Sequence, residues 1–367
     1  MNNNPMPLDL FSRVEELIEQ SRKYIAKAVN TAMVATYYEI GRYIIEDEQQ
    51  GKARAEYGKR VLLELSKRLT DKFGKGWSVD TLKRCRLFYT IYSIPKSAPL
   101  VTQLKKRTAG GPIENLEMST IGRQMELTNP SFVLSWSHYL ILMRIDNPDE
   151  RSFYEIEACK QNWSKRDLQR QIGSSLYERL ALSKNKDEVM RLAKEGQIVE
   201  KSSDVIKDPL VLEFIGLQPE AVYSESKLEQ KIIDKMQQFL MEMGKGFLFE
   251  ARQKRFTFDE RHFYVDLVLY NRLLQCYVLV DLKLDDLTHQ DIGQMQMYVN
   301  YYDRYVRQEW EKPAIGILLC EQKSDAIVEL TLPEDTNIYA TQYTLCLPDK
   351  ATLQRKLKEW IEEEQSN

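Results

Sequence analysis

The first half of the chain carries its apolar residues at the spacing of amphipathic helices. In LFSRVEELIEQSRKYIAKAVNTAM, apolar side chains recur every three or four positions, at Val14, Leu17, Ile18, Tyr24, Ile25 and Ala28. That period matches one face of an α-helix. Similar patterns follow in YGKRVLLELSKRLTDKF, SVDTLKRCRLFYTIYS, FVLSWSHYLILMRI and SKRDLQRQIGSSLYERLAL. We therefore predict an all-helical N-terminal domain over residues 1–185.

The pattern changes after residue 208. One amphipathic helix, KLEQKIIDKMQQFLMEMG, precedes strand-like runs: FLFEARQKRFTF, FYVDLVLY, CYVLVDLKL, PAIGILLC and IYATQYTLCL. A helical segment, HQDIGQMQMYVNYYDRYVRQ, separates the third run from the fourth. The order helix, three strands, helix, strand predicts an α/β domain over residues 209–367. The polar stretch 186–208 is predicted to be an inter-domain linker.

Composition and charge narrow the class of protein. The chain has 367 residues, of which 43% are hydrophobic and 29% charged, as in ordinary globular proteins. Its net charge of −3 means that nucleic acid would have to be bound by locally gathered basic residues. The five cysteines show no CxxC pairing, which argues against a disulfide framework or a cysteine zinc site. The start lacks a secretory pattern and no uncharged apolar run approaches ~20 residues, so we expect a cytoplasmic protein without a membrane partner.

Two of the strand-like runs each carry an aspartate among apolar residues. In FYVDLVLYNRLLQCYVLVDLKL the segment NRLLQ separates the runs, which predicts a hairpin. A register that is symmetric about this turn pairs Tyr270 with Tyr277 and Asp266 with Asp281. Directly opposed residues have Cβ atoms about 4.5–5.5 Å apart. Lys283 shares a face with Asp281, because side chains two positions apart on a strand point the same way.

Two opposed carboxylates repel each other unless a proton or a cation lies between them. Mg²⁺ takes oxygen ligands, usually one or two carboxylates with water and substrate phosphate, and Mn²⁺ is the alternative ion. The preceding helix offers a further carboxylate, Glu229 or its neighbour Glu225, and helical geometry alone does not choose between them. In the competing interpretation, Asp281 and Lys283 form an ordinary ion pair on one face, and Asp266 points to solvent.

The arrangement of Asp266, a hairpin and Asp281-x-Lys283, after a helix with Glu229, resembles the core of PD-(D/E)xK nucleases. More of the chain resembles the YhcG-type family, in segments such as GWSVDTLKRCRLFY, NWSKRDLQRQIGSSLYER, FYVDLVLY and YVLVDLKL. The resemblance implies a restriction-endonuclease-like fold and metal-dependent phosphodiester cleavage. It assigns metal binding to Asp266 and Asp281, catalysis to Lys283 and an accessory role to Glu229. Gln294 falls where related nucleases use a polar residue near the site, although a solvated helix position is the alternative.

The N-terminal half offers candidate contacts to nucleic acid. LLELSKRLTDKFGKGWSVDTLKRCRLFY has the order helix, glycine-containing turn, helix, which fits a helix-turn-helix-like unit. The candidate residues are Lys83, Arg84 and Arg86 on its second helix, and Lys165, Arg166 and Arg170 in NWSKRDLQRQI. The stretch LKKR in the loop from residue 95 to 112 is a further candidate for phosphate contact. Each of these basic sets is equally compatible with solvated surface.

The sequence therefore predicts an α+β two-domain protein, with an all-helical N-terminal domain and an α/β restriction-endonuclease-like C-terminal domain. The function it favours is that of a Mg²⁺-dependent endonuclease acting on DNA, with RNA as the other substrate and a homo-oligomeric assembly both left open. The competing hypothesis is a nuclease fold that lacks turnover and serves as a DNA-binding or assembly module.

Overall fold

The computed structural model divides the chain into two compact units, between Leu168 and Gln169. It describes residues 8–50, 55–93, 132–182, 186–217, 223–322, 328, 330–331 and 336–366. The predicted loop 95–112, with its LKKR stretch, lies outside the described residues.

The described part of the first unit is helical, as predicted. Its helices are α1 (Leu8–Gln50), α2 (Ala55–Phe73), α3 (Val79–Tyr92), α4 (Trp136–Leu142) and α5 (Pro148–Lys160). Ser78 caps α3, because its side chain accepts a hydrogen bond from the backbone N–H of Thr81 at 3.2 Å. The core is aromatic, with the Phe88 ring 4.9 Å from that of Phe132 and 5.1 Å from that of Tyr139.

The apolar face predicted for the first helix is present on α1, but its N-terminal part is exposed. Leu17 is 63% exposed and Ile25 is 61% exposed. Burial begins at Val34, which has no exposed surface. Amphipathic spacing identified the helix correctly, but it does not specify which surface covers the apolar face.

The second unit is built around a six-stranded mixed sheet. The strands are β1 (Leu210–Val211), β2 (Phe247–Phe258), β3 (Arg261–Asn271), β4 (Cys276–Asp286), β5 (Ile315–Gln322) and β6 (Ile338–Thr344). Their order is β1-β6-β5-β4-β3-β2. Strands β2, β3 and β4 are antiparallel neighbours, whereas β4, β5, β6 and β1 pair in parallel. The predicted α+β class and α/β C-terminal domain are confirmed.

Seven α-helices complete the described part of the chain. They are α6 (Lys165–Gly173), in which the two units divide, then α7 (Leu176–Leu182), α8 (Lys186–Glu195), α9 (Glu225–Asp234), α10 (Met236–Met243), α11 (His289–Tyr301) and α12 (Lys350–Ser366). A π-helical turn, Tyr302–Val306, continues α11. Two 3-10 turns lie at Ser202–Val205 and Glu213–Ile215.

Apolar clusters cover both faces of the sheet. On one face, Leu228 of α9 and Phe239 of α10 pack against Val280 of β4. On the other, Met295 of α11 packs against Leu279. Because β4 is buried on both faces, its sequence VLV is apolar without alternation. An aspartate in such a strand lies among apolar side chains.

The stretch 186–208, which the sequence suggested as a linker, is structured within the second unit. It contains α8, and Leu192 and Val205 are 2% and 3% exposed. The stretch is polar overall, but several of its few apolar residues are buried, so its composition alone does not identify it as a linker. No helix in the described residues is long and apolar enough to cross a membrane.

A buried charge network ties α6 and α7 to α10. Glu242 has no exposed surface, and its carboxylate lies 2.7 Å from Arg179 Nη1 and 3.2 Å from Arg170 Nη1. The Val211 N–H donates to Glu242 Oε1 at 3.1 Å. Arg170 also pairs with Glu213 at 3.0 Å. The expectation that Arg170 is surface charge or a phosphate contact is therefore wrong, because its guanidinium is engaged by these carboxylates.

Candidate functional site

The β3–β4 hairpin has the symmetric register that the sequence predicted. Tyr270 pairs with Tyr277, and the ladder continues to Leu267 opposite Val280. Asn271 fixes the turn, because its Oδ1 accepts hydrogen bonds from the backbone N–H groups of Leu273 and Leu274. A turn anchored in this way sets the register of both strands.

The two strands separate at the next position, where the two aspartates lie. Beyond Leu267, β3 continues as a partner of β2 down to the pair Phe258–Arg261. Beyond Val280, β4 stays paired with β5. Asp266 and Asp281 thus stand on opposite sides of a fork in the sheet, where regular pairing between their strands has ended. A fork leaves room between two strands that a continuous ladder would close.

The two carboxyl groups are brought together at this fork. Asp266 is half-buried, and its Oδ2 accepts a hydrogen bond from the backbone N–H of Leu282 at 2.8 Å. Asp281 is 3% exposed. Burial, followed by the negative charge of Asp266, raises the pKa of Asp281 to about 7. The competing interpretation is right about the ion pair of Asp281 with Lys283, but Asp266 is held by the backbone of β4 and does not point to solvent.

Lys283 lies beside Asp281 as predicted. Its Nζ is 2.9 Å from Asp281 Oδ2 and 3.7 Å from Asp291 Oδ1 on α11. Burial by itself would lower the pKa of Lys283, but the carboxylate of Asp281 outweighs it, so the pKa is raised. The side chain is therefore a cation held at the mouth of the fork.

The donor set fits a hard divalent cation. Among the described residues, no group of three or more His, Cys, Asp and Glu side chains is arranged to hold a metal. Mg²⁺ needs fewer, since one or two carboxylates with water and phosphate commonly suffice. The buried Oδ2 of Asp281 lies 2.9 Å from the Lys283 ammonium, so this oxygen is placed to face a positive charge.

Glu229 reaches this cluster through a residue that the sequence did not single out, Gln253 on β2. The Gln253 Nε2 donates to Glu229 Oε2 at 2.7 Å and to Asp266 Oδ1 at 2.9 Å. Glu229 is 8% exposed. Gln253 has a left-handed backbone, with φ of 44°, which costs about 1 kcal/mol or more for a residue other than glycine or asparagine. The sequence signal that could have identified Gln253 is a polar residue in an edge strand opposite Asp266. That signal is visible only when the register between β2 and β3 is known.

Gln294 contacts Tyr298 one turn further along α11. Its Nε2 donates to the hydroxyl of Tyr298, and both side chains belong to the helix that packs on the Asp281 face of the sheet. Burial, followed by the charge of Asp281, raises the pKa of Tyr298 to about 12. Gln294 is half-buried by these contacts and is not a fully solvated helix position.

The predicted nucleic-acid contacts of the first unit lie in different surroundings. Lys83 is 3.8 Å from Asp80, and Arg86 is 2.8 Å from Glu48 of α1. Arg84 is exposed on α3, and Lys165 and Arg166 are exposed at the start of α6. Arg86 is therefore partly engaged within the unit, whereas a role in binding nucleic acid remains a prediction for all five residues.

Comparison with known proteins gives matches along most of the chain. Residues 203–358 match the family model described as the YhcG PDDEXK nuclease domain. Residues 13–179 match the DUF1016 N-terminal domain. The protein named "Putative nuclease YhcG" from Escherichia coli (strain K12) is 35% identical over 342 residues, which cover 93% of this chain and 91% of that protein. A solved repair endonuclease from Pyrococcus abyssi aligns with 35% of this chain and 50% of its own, at 21% identity and a TM-score of 0.24.

Proposed function

Since the chain belongs to the YhcG family, whose C-terminal part is a PDDEXK nuclease domain, we propose that it is a metal-dependent endonuclease that hydrolyses phosphodiester bonds of DNA. The observation that carries this proposal is the fork at the end of the β3–β4 ladder. Two interacting carboxyls, Asp266 and Asp281, meet there beside the Lys283 ammonium. A pair of hard oxygen donors next to a fixed cation suits a phosphodiester better than a neutral substrate.

The roles of the residues follow from their chemistry. Asp266 and Asp281 would hold Mg²⁺, or Mn²⁺ in its place, at the fork. Such an ion, when bound, polarises the phosphoryl oxygen and lowers the pKa of a bound water. The Lys283 ammonium orients the attacking water and offsets negative charge that develops on the phosphate. Glu229 acts as an accessory acid through its link to Asp266 by way of Gln253.

The proposal predicts that Lys283→Gln lowers the cleavage rate by about a hundred-fold or more, because one preorganised charge in an active site contributes on that scale. The assay is cleavage of supercoiled and linear DNA by the purified chain with MgCl₂, and with EDTA as a blank. Lys356→Gln, at an exposed position of α12, is the matched control and should cut like the wild type. Cleavage by Lys283→Gln at the wild-type rate would contradict the assigned role.

Gln253→Gly separates a positioning role of this residue from a purely structural one. Glycine accepts the left-handed backbone at φ 44° without strain, so we expect unchanged or raised thermal stability. The amide that links Glu229 to Asp266 is lost, so the Mg²⁺ concentration for half-maximal cleavage should rise about 10–100-fold, as for other outer residues of metal sites. Excess Mg²⁺ should restore most of the rate. An identical Mg²⁺ dependence for variant and wild type would show that Gln253 only shapes the strand.

DNA rather than RNA as the substrate, a cytoplasmic location and a homo-oligomeric state are parts of the proposal. The exposed apolar face of α1 supports the oligomer, since large apolar patches on a surface commonly mark interfaces. The cleavage assay with single-stranded RNA, duplex RNA and duplex DNA of one sequence distinguishes the substrates.

A further inference from the structure

Beyond the fork, the β2–β3 hairpin continues as a two-stranded ribbon, which with Arg252 at its base comprises residues 252–265. Its pairs run from Lys254–Val265 to Phe258–Arg261, and no third strand joins it among the described residues. Asp259 and Glu260 close it with φ values of 49° and 60°. Two left-handed residues form the tight turn whose twist matches that of the paired strands. The ribbon therefore projects from the point where Asp266 lies.

One face of the ribbon is packed and the other is open. Phe256, which is 7% exposed, stacks on Phe263 at 5.4 Å and on Tyr301 of α11 at 4.1 Å. These contacts hold the ribbon against α11. The opposite face carries Arg255, Thr257, His262 and Tyr264, all of which are exposed.

The ribbon is locally basic in a chain of net charge −3. It carries four basic residues and two acidic ones, a net charge of +2: the basic residues are Arg252, Lys254, Arg255 and Arg261, and the acidic ones are Asp259 and Glu260 at the turn. Arg252 and Lys254 have carboxylates within 3.9 Å. In the described part of the chain, Arg255 and Arg261 have no carboxylate partner. Exposed arginines of this kind, spaced along one strand pair, suit a polyanion.

The dimensions favour duplex DNA as that polyanion. From Asp266 to Arg261 the strand advances about 17 Å, at roughly 3.4 Å per residue, which equals the axial length of about five phosphates on one strand of duplex DNA. The major groove of B-form DNA, about 12 Å wide, admits a two-stranded ribbon, whereas the major groove of A-form RNA is too narrow for side chains to enter. We propose that the ribbon binds duplex DNA next to the cleavage site. Arg255, on the open face, and Arg261, which strand alternation puts on the other face beside the turn, would each contact a phosphate. This inference rests on the proposed function and adds the surface that holds the substrate.

The test measures binding of a labelled 30-base-pair duplex by fluorescence anisotropy across a range of salt concentrations. Both arginines are changed in an Asp281→Asn background, so that cleavage does not interfere. Arg255→Gln with Arg261→Gln should weaken binding at least ten-fold and reduce the slope of log affinity against log salt by about 2, one for each lost phosphate contact. The control, Arg355→Gln with Lys356→Gln on α12, removes the same charge and should change neither value. Equal affinity and slope for the ribbon variant and the control would overturn the proposal.

A second variant tests the same surface in the opposite direction. Asp259→Asn with Glu260→Gly removes both acidic charges and keeps residues that favour the left-handed turn, so the ribbon stays folded. We expect the affinity for the duplex to rise several-fold, and an unchanged or lower affinity would contradict the ribbon as the contact. Equally tight binding of duplex RNA would overturn the assignment to DNA. If the ribbon variants behave as expected but the wild type does not cut, the nuclease proposal fails and the binding surface stands.

Discussion

Asp281→Asn is expected to abolish cleavage and, in the absence of metal, to make the folded protein more stable. The substitution keeps the shape of the side chain and removes a negative charge that is buried at 3% exposure beside Asp266. With the charge gone, the fork has lost one of the two carboxylates proposed to hold the metal, and cleavage should fall by at least about a thousand-fold. Stability and activity would then change in opposite directions, as expected where a site is built for function rather than for packing.

The gain in stability that Asp281→Asn is expected to bring depends on pH, because it depends on the pKa of Asp281. The folded pKa of about 7 lies above the ordinary value of 3.8, so the folded state binds the proton more tightly than the unfolded chain. The free energy that the buried carboxylate costs is therefore absent below about pH 4 and fully present above about pH 7. A shift of this size corresponds to at most about 4 kcal/mol, and the attraction of Lys283 is already included in it. We expect Asp281→Asn to gain about 1–3 kcal/mol at pH 8 and little at pH 4.

Urea unfolding at pH 8 and pH 4, with and without MgCl₂, measures these effects. Mg²⁺ should stabilise the wild type through binding to the folded state and leave Asp281→Asn unchanged. A variant that is destabilised at pH 8 without metal would show that Asp281 serves the fold and not the site.

The second large effect is expected at Glu242, away from the fork. Glu242→Gln keeps the side-chain volume but removes the carboxylate charge, which lies 3.2 Å from Arg170 and 2.7 Å from Arg179. Both arginines then stay buried without the carboxylate that they share. Removing one partner of a buried ion pair costs about 3–5 kcal/mol. A loss of that size is a large fraction of the stability of an ordinary domain, so the second unit should be close to unfolding.

The sign of the pH dependence at Glu242 is opposite to that at Asp281. Burial alone would raise the pKa of Glu242, but the charges of Arg179, Lys207 and Arg170 outweigh it and lower the pKa to about 2. The stabilisation is therefore present above about pH 4.5 and is lost as the pH falls toward 2. The difference between wild type and Glu242→Gln should shrink over that interval.

The matched control is Glu213→Gln. Glu213 also pairs with Arg170, but its side chain is 21% exposed, and water can replace the lost contact. We expect a loss of about 1 kcal/mol or less for this variant. Equal losses for Glu213→Gln and Glu242→Gln in urea unfolding at pH 7 would contradict the account of the buried network.

The elements that depend on local pattern were predictable from the sequence. The β3–β4 hairpin is one, because the NRLLQ turn and the flanking apolar runs specify a single symmetric register, which the pair Tyr270–Tyr277 confirms. The nearness of Asp266, Asp281 and Lys283 follows from that register. Helical geometry left Glu229 as one of two candidates, since both glutamates lie on neighbouring turns of the same helix, and the family resemblance selected it.

The features that depend on distant pairing were not predictable. Gln253 faces Asp266 only once β2 is paired with β3, and its left-handed backbone leaves no mark in a strand-like run. Arg170 was taken for surface charge or a phosphate contact because its partners, Glu213 and Glu242, lie 43 and 72 residues further along the chain. Amphipathic spacing predicted α1, but the same spacing serves a buried and an exposed apolar face alike.

Calorimetric titration of the metal-free chain with MnCl₂ tests the central claim most directly, because it detects the ion without requiring a substrate or cleavage. The wild type should bind Mn²⁺ at a site that Asp266→Asn and Asp281→Asn each eliminate, while Lys283→Gln, which removes a competing cation from Asp281, should bind at least as tightly. Binding that is equally strong in the wild type and in both aspartate variants would place the metal elsewhere and contradict the proposed active centre. Absence of binding even in the presence of DNA would favour a nuclease fold without turnover.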